Sequence, residues 1–266
     1  MTRAPSHPVL VDPDAGARSA FVLDAHHRPT DGAWHAHRRG QLVHAAEGVL
    51  VVSTAEGRWV VPPARAVWVP PGQRHRVASR RPFRLLTLYV DRGSAALPEA
   101  CRVVAVDALE RELLAAAARF GRDYPAGGAE ERLVRVVLDR LPALTVAPLL
   151  HLPAPTSAPL AKLTAQLAAA PADRRTLEAW AARVGLTART AARRFVSETG
   201  LTFGQWRQQL RLLAALELLG AGESVTAVAF SVGYDDVSSF IAAFKAAMGV
   251  TPGRYFWREV QANATR

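Results

Sequence analysis

The 266-residue sequence is short of several things, and each shortage closes off a class of protein. It has one cysteine, Cys101, which rules out an internal disulfide or a cysteine-rich zinc site and fits a reducing, cytoplasmic setting. No apolar run approaches the roughly 18 residues a membrane span needs, so no membrane partner is expected. The opening "MTRAPSHPVLVDPDAG" has no apolar stretch ahead of a cleavage site and does not read as a signal peptide. Lysine is confined to Lys162 and Lys245, so the net charge of +10 is almost wholly arginine's.

What is present divides unevenly along the chain. Residues 1–158 carry 20 basic and 15 acidic side chains, and residues 159–266 carry 13 and 8, a net +5 each. Within 171–211, however, eight arginines face three acids, a local excess that a phosphate backbone would feel. The stretch "TVAPLLHLPAPTSAPLA" (145–161) holds four prolines and reads as an extended linker at a domain boundary.

Ahead of that boundary, "QLVHAAEGVLVVST", "GRWVVPPARAVWVPPG" and "FRLLTLYV" are short Val-, Leu- and Trp-rich segments cut by Gly and Pro. They predict a small antiparallel barrel or sandwich over 20–95, behind an N-terminal arm at 1–19. Over 105–142 the period becomes helical, with Leu109, Leu113, Leu114, Ala117 and Phe120 in one helix and Leu133, Val136, Val137 and Leu141 in the next. Packing on their own barrel and forming a homodimer interface are both open to these helices. The linker occupies 143–159, and everything from 160 to 258 reads helical, with a short tail at 259–266.

The helical half repeats itself. Ala181, Val184 and Gly185 recur 48 residues on as Ala229, Val232 and Gly233. Phe195, Gly200, Thr202 and Gly204 recur 49 on as Phe244, Gly249, Thr251 and Gly253. A short helix, a glycine turn and a second helix, made twice, is the helix-turn-helix pattern, and Thr187 and Ser224 stand where N-caps are wanted. The residues at 203–219 would act as a rigid spacer, setting two recognition helices about 34 Å apart for successive major grooves of double-stranded DNA. Arg189, Thr190 and Arg193 fall on the exposed side of the first recognition helix.

These units, "LTARTAARRFVSETGLTFGQW" and "VTAVAFSVGYDDVSSFIAAFKAAMGVTPGRY", resemble the DNA-binding domain of the AraC/XylS family of bacterial transcription regulators. The resemblance implies base-directed positions at Arg189, Ala192 and Arg193 in the first unit and Val237, Ser238, Ile241, Ala242 and Lys245 in the second. It implies burial of Ala191, Phe195, Phe240 and Phe244. Arg194 stands where the family usually has an apolar residue and could reach a phosphate. RNA polymerase is the further partner such a regulator implies.

The first half resembles a cupin. His35, His37, Gln41 and Gly48 follow its first motif, and "PPGQRH", with Pro70, Gly72 and His75, follows its second. Two histidines two apart on a strand point to one face, and His75 can close on them, which makes a platform for Zn, Ni or Co. Gln41 replaces the family's acidic ligand, so the same residues also suit a metal-free effector pocket, walled by Trp34 and by Val43, Val67, Trp68 and Val69. His44 is expected to be a half-buried strand residue. The loss of the acid, the absence of a candidate general base and the presence of a DNA-binding tail all argue against an enzyme. The expectation is a two-domain, DNA-binding regulator whose all-β domain senses a metal or small molecule. The alternatives are a DNA-binding protein whose barrel only dimerises and, last, a cupin metalloenzyme.

Overall fold

The computed structural model describes residues 12–95, 97–147 and 150–256. The N-terminal half is a sandwich of two five-stranded sheets in which every strand pair is antiparallel. In chain order the strands are β1 (Ala20–His27), β2 (Thr30–Asp31), β3 (Gly40–Glu47), β4 (Leu50–Thr54), β5 (Gly57–Val61), β6 (Arg65–Val69), β7 (His75–Ser79), β8 (Phe83–Val90), β9 (Arg102–Ala105) and β10 (His151–Pro153). One sheet runs β1-β8-β3-β6-β9 and the other β10-β5-β4-β7-β2.

The two sheets are covered differently, and the sequence pattern follows from that. The outer face of the first sheet packs on α1 (Ala108–Ala118) and α2 (Ala129–Arg140), so both helices lie on their own sandwich. Leu114, Ala117, Val137 and Leu138 are buried there, whereas Leu109 and Val136 are 50% and 46% exposed on the far side. The outer face of the second sheet is covered by the helical half. That is why β4 is buried at all five residues and its Leu50, Val51 and Val52 follow one another without alternation.

The sandwich also draws on residues outside the expected 20–95. The strand β9 pairs with β6, and β10, inside the proline-rich linker, pairs with β5 at His151↔Trp59, Leu152↔Arg58 and Pro153↔Gly57. Over His151–Pro153 the linker is extended, but it is a sheet edge and not a free tether. Four and three residues are too short for alternation to announce a strand.

The second half contains α3 (Ala158–Ala169), α4 (Leu177–Ala182), α5 (Ala188–Thr199), α6 (Phe203–Gly220), α7 (Val225–Ser231) and α8 (Val237–Met248). The tail proposed at 259–266, and residues 1–11 of the arm, lie outside the described residues. Among the described residues no helix is long and apolar enough to cross a membrane.

Candidate DNA-reading helices and histidine cluster

The repeat seen in the sequence is a repeat of backbone hydrogen bonds. After α4, Leu186 N donates to Ala181 O at 2.9 Å, and after α7, Tyr234 N donates to Ala229 O at 3.0 Å. Gly185 and Gly233 take positive φ (71° and 92°) to make these turns. Gly233 is doubly constrained, since a Cβ there would sit 2.7 Å from Ala172 Cα. Thr187 caps α5 through Thr190 N, and Asp236 caps α8 through Ser239 N. Ala181 and Ala229 are fully buried where the helices meet, and so are Ala191, Phe195, Phe240 and Phe244.

The outward faces of α5 and α8 differ. On α5, Arg189, Ala192, Arg193 and Val196 are exposed at helical spacing, so one stripe carries two guanidinium groups. Thr190 is half-buried, and its hydroxyl oxygen accepts from Thr187 Oγ1 at 2.9 Å, which ties it to the cap. Arg194 is half-buried at the stripe's edge. On α8, Ser238, Ala242 and Lys245 are exposed, and Val237 and Ile241 are half-buried beside them. The 18 residues of α6 place about 27 Å of helix between the two units. Around this domain, Arg175 and Arg183 lie over the Trp180 ring (5.2 and 5.6 Å) and Arg207 lies over Phe203 (5.0 Å).

In the sandwich, His35, His37 and His75 come together, with one ring nitrogen of each within 4.8 Å of the others. The expected reason was wrong in detail. His35 and His37 do not share a strand; both precede β3, in an irregular segment. A backbone bridge aligns the cluster instead, with His35 N donating to His75 O and His75 N to His35 O, both at 2.9 Å. Gly72 N, in the Pro-Gly turn, donates to His37 O at 2.9 Å and holds the second histidine.

Each imidazole contacts a backbone carbonyl through Nδ1: His35 with Ala33 O (3.0 Å), His37 with Arg39 O (2.6 Å) and His75 with Gln73 O (2.9 Å). A carbonyl only accepts, so each Nδ1 carries a proton, and it is the neutral form of such a ring that presents a bare Nε2 lone pair. Two of those nitrogens face the Gln41 amide oxygen, His75 Nε2 at 3.0 Å and His37 Nε2 at 3.2 Å. The Gln41 amide is oriented from behind, its Nε2 donating to Thr87 Oγ1 (2.9 Å) and Tyr89 OH (3.2 Å). Burial pushes His75 down to about 4, against the pull of its bond to Gln73 O, so at neutral pH no proton bridges Nε2 and Oε1. Burial likewise pushes the Tyr89 phenol up to about 12 and keeps it protonated. His37, His75 and Gln41 are buried, and His35 is exposed at the mouth.

Two expected neighbours, Trp34 and Trp68, lie elsewhere, and His44, expected on a strand and half-buried, is on its strand but fully buried. Trp34 is 42% exposed, with Arg74 and Arg76 over its ring, and does not wall the cluster. Trp68 belongs to the core beneath α1 and α2 and donates to Pro98 O. His44 is fully buried on the Leu42 side of β3, bonded through Nδ1 to Arg65 O, and burial pushes it to about 4. Along β3, Gln41 and His44 are three apart and so face opposite sides.

Sequence reading missed Arg39, whose side chain is 4% exposed. It donates to Gly16 O and Arg18 O, pairs with Asp91 at 3.3 Å and stacks on Phe21, fastening residues 16–18 to the sandwich. Nothing in its "HRRGQ" context separates it from the exposed Arg38.

Comparison with known proteins agrees with both halves. Residues 20–119 match the family described as AraC-like ligand binding domain, and residues 180–258 match the one described as helix-turn-helix domain. The HTH-type transcriptional regulator NimR of Escherichia coli K12 is 35% identical over 242 residues, 91% of this chain and 88% of NimR. The HTH-type transcriptional regulator RipA of Corynebacterium glutamicum is 39% identical over 85 residues, 32% of this chain and 26% of RipA. Among solved structures, ToxT of Vibrio cholerae O395 aligns over 90% of this chain and 97% of its own, at 10% identity and a TM-score of 0.39.

Proposed function

The chain belongs to the AraC family of helix-turn-helix transcriptional regulators, and from that premise we propose that its sandwich senses a divalent transition metal at His35, His37, His75 and Gln41. It is a DNA-binding regulator with an N-terminal ligand-binding domain. The observation that carries the metal reading is the set of lone pairs. The unprotonated His75 Nε2 sits 3.0 Å from the Gln41 amide oxygen, with His37 Nε2 3.2 Å from the same atom, and lone pairs set against that oxygen repel it unless a cation lies among them. Neutral nitrogen ligands and one amide oxygen suit Zn, Ni or Co, and the carbonyl partners of Nδ1 fix each ring's tautomer.

The competing arrangement turns the Gln41 amide through 180°, so that its NH2 donates to both imidazoles and no ion is needed. Titrating the full chain with Zn, Ni and Co separates the two. The metal reading expects a rise in melting temperature for at least one ion, from a stabilisation on the order of 2.7 kcal/mol at a hundredfold excess over Kd. His75→Ala should abolish the rise, and Gln41→Glu, which adds a carboxylate, should tighten binding. No shift with any of the three, and operator affinity indifferent to His35→Ala, would leave a DNA-binding protein whose sandwich serves only to dimerise.

On the DNA side, α5 and α8 enter successive major grooves, with Arg189 and Arg193 reading bases. Ala192, Val237, Ser238, Ile241 and Ala242 make the closer contacts, and Arg194 and Lys245 anchor phosphates. The exposed Leu109 and Val136, on the outer faces of α1 and α2, favour a homodimer joined through these helices. Sedimentation of Leu109→Glu/Val136→Glu as a monomer would support that assignment.

A further inference from the structure

We propose that the cleft between the outer face of sheet β10-β5-β4-β7-β2 and helix α6 binds a small organic anion, a carboxylate or phosphate ester, in competition with Glu217. The cleft measures about 530 Å³, within the roughly 300–1,000 Å³ of small-molecule sites. Four guanidinium groups line it, from Arg58, Arg76, Arg80 and Arg81, against two carboxylates, Asp31 and Glu217, leaving a net +2.

The existing pairings leave donors unused. Glu217, from α6, is held at 3.1 Å by Arg58 and at 3.5 Å by Arg80, so one internal carboxylate bridges the two halves of the chain. Asp31 takes Arg76 Nη1 at 2.8 Å. Arg76 Nε is buried with no acceptor, and the Arg81 guanidinium makes no hydrogen bond or ion pair among the described residues. Buried N–H groups are normally satisfied, and a planar oxyanion matches a guanidinium's paired donors. A dianion entering here would meet Arg76 and Arg81 directly and draw Arg80 from Glu217. The cleft is far too small for a duplex, which separates this function from DNA binding.

The consequence reaches the reading helices. Glu217 lies on α6, the helix that joins them, and three residues on, Gly220 packs against Val49 of the sandwich with no room for a Cβ. A ligand that relaxes the Glu217 pairs therefore acts on the element that sets the spacing of α5 and α8. The proposal does not rest on the metal reading, because His75 and Arg76 are successive residues of β7 and point to opposite faces.

The test uses the full chain with succinate and inorganic phosphate as separate probes. Ionic strength is held with chloride, and succinamide is the neutral control. Calorimetric titration should show saturable binding of succinate, phosphate or both, identifying which anion chemistry the cleft prefers, and none of succinamide. Binding should weaken tenfold or more in Arg81→Gln and in Arg76→Gln. Glu217→Gln, which frees Arg58 and Arg80, should tighten it, and His75→Ala should leave it unchanged. Arg81 is exposed, so its variant keeps the test decisive should Arg76→Gln misfold. No saturable binding of either probe, equal binding in Arg81→Gln, or loss of binding in His75→Ala alone would overturn the proposal.

Discussion

Helices α5 and α8 are the same object built twice with different surfaces. Both are 12 residues long, both bury a phenylalanine at the equivalent place, and both end on a left-handed glycine, Gly200 at φ 73° and Gly249 at φ 78°. Their exposed stripes diverge: two arginines on α5 against serine, alanine and one lysine on α8. Burial and capping geometry constrain the first set of positions, because a cavity or a lost cap costs stability in either unit. Nothing in the fold constrains the second set, which is free to be specified by DNA. On the reading proposed above, the difference between the two helices places base choice on α5 and leaves α8 with thymine-methyl contact, phosphate anchoring and sensitivity to DNA shape.

The comparison can be broken first at its shared interior. Phe195→Ala and Phe244→Ala should each destabilise the folded chain by about 3–5 kcal/mol in urea unfolding. If one substitution proved costly and the other silent, the structural equivalence of the units would fall. The exposed stripes come next. Arg193→Ala should weaken operator binding by about 1–3 kcal/mol at fixed salt and relax base preference at the position it reads, whereas Ser238→Ala should change little. Equal losses from both would remove the asymmetry. Thr187→Ala should lower stability by about 1 kcal/mol through the cap of α5, while leaving base preference intact. Lys245→Ala is the mildest. It should weaken binding uniformly across DNA sequences and reduce the slope of log affinity against log salt by about 1, and a sequence-dependent effect would move α8 into the group that reads bases.

Much of this is legible in the sequence, and the limits are physical. The double unit could be read because its marks are local: glycines that must take positive φ, small residues at helix crossings, hydroxyl caps a fixed distance ahead. The two-domain order and the set His35, His37, His75 and Gln41 were legible for the same reason. The cause of the histidines' convergence was not, because the His35–His75 bridge joins two segments separated by the four strands β3 to β6. The strands β9 and β10 escaped because three or four residues carry no period. Trp34 and Trp68 were placed on the wrong side because the segment before β3 does not alternate and because β6 is buried on both faces. Glu217 was invisible, since its partner Arg58 is 159 residues away and neither residue has a local signature.

The strand β10 makes the junction between the halves a matter of steps. Its Leu152 is buried to 4% exposure opposite Arg58, and Trp206 Nε1, from α6, donates to Pro153 O at 2.9 Å. Side chains alternate along a strand, so sliding β10 by one residue would turn Leu152 to the wrong face. The next position that restores the pattern lies two residues away, about 6.6 Å along β5. Any movement of the helical half that had to carry β10 along that edge would therefore come in whole steps, a switch of state rather than a graded slide.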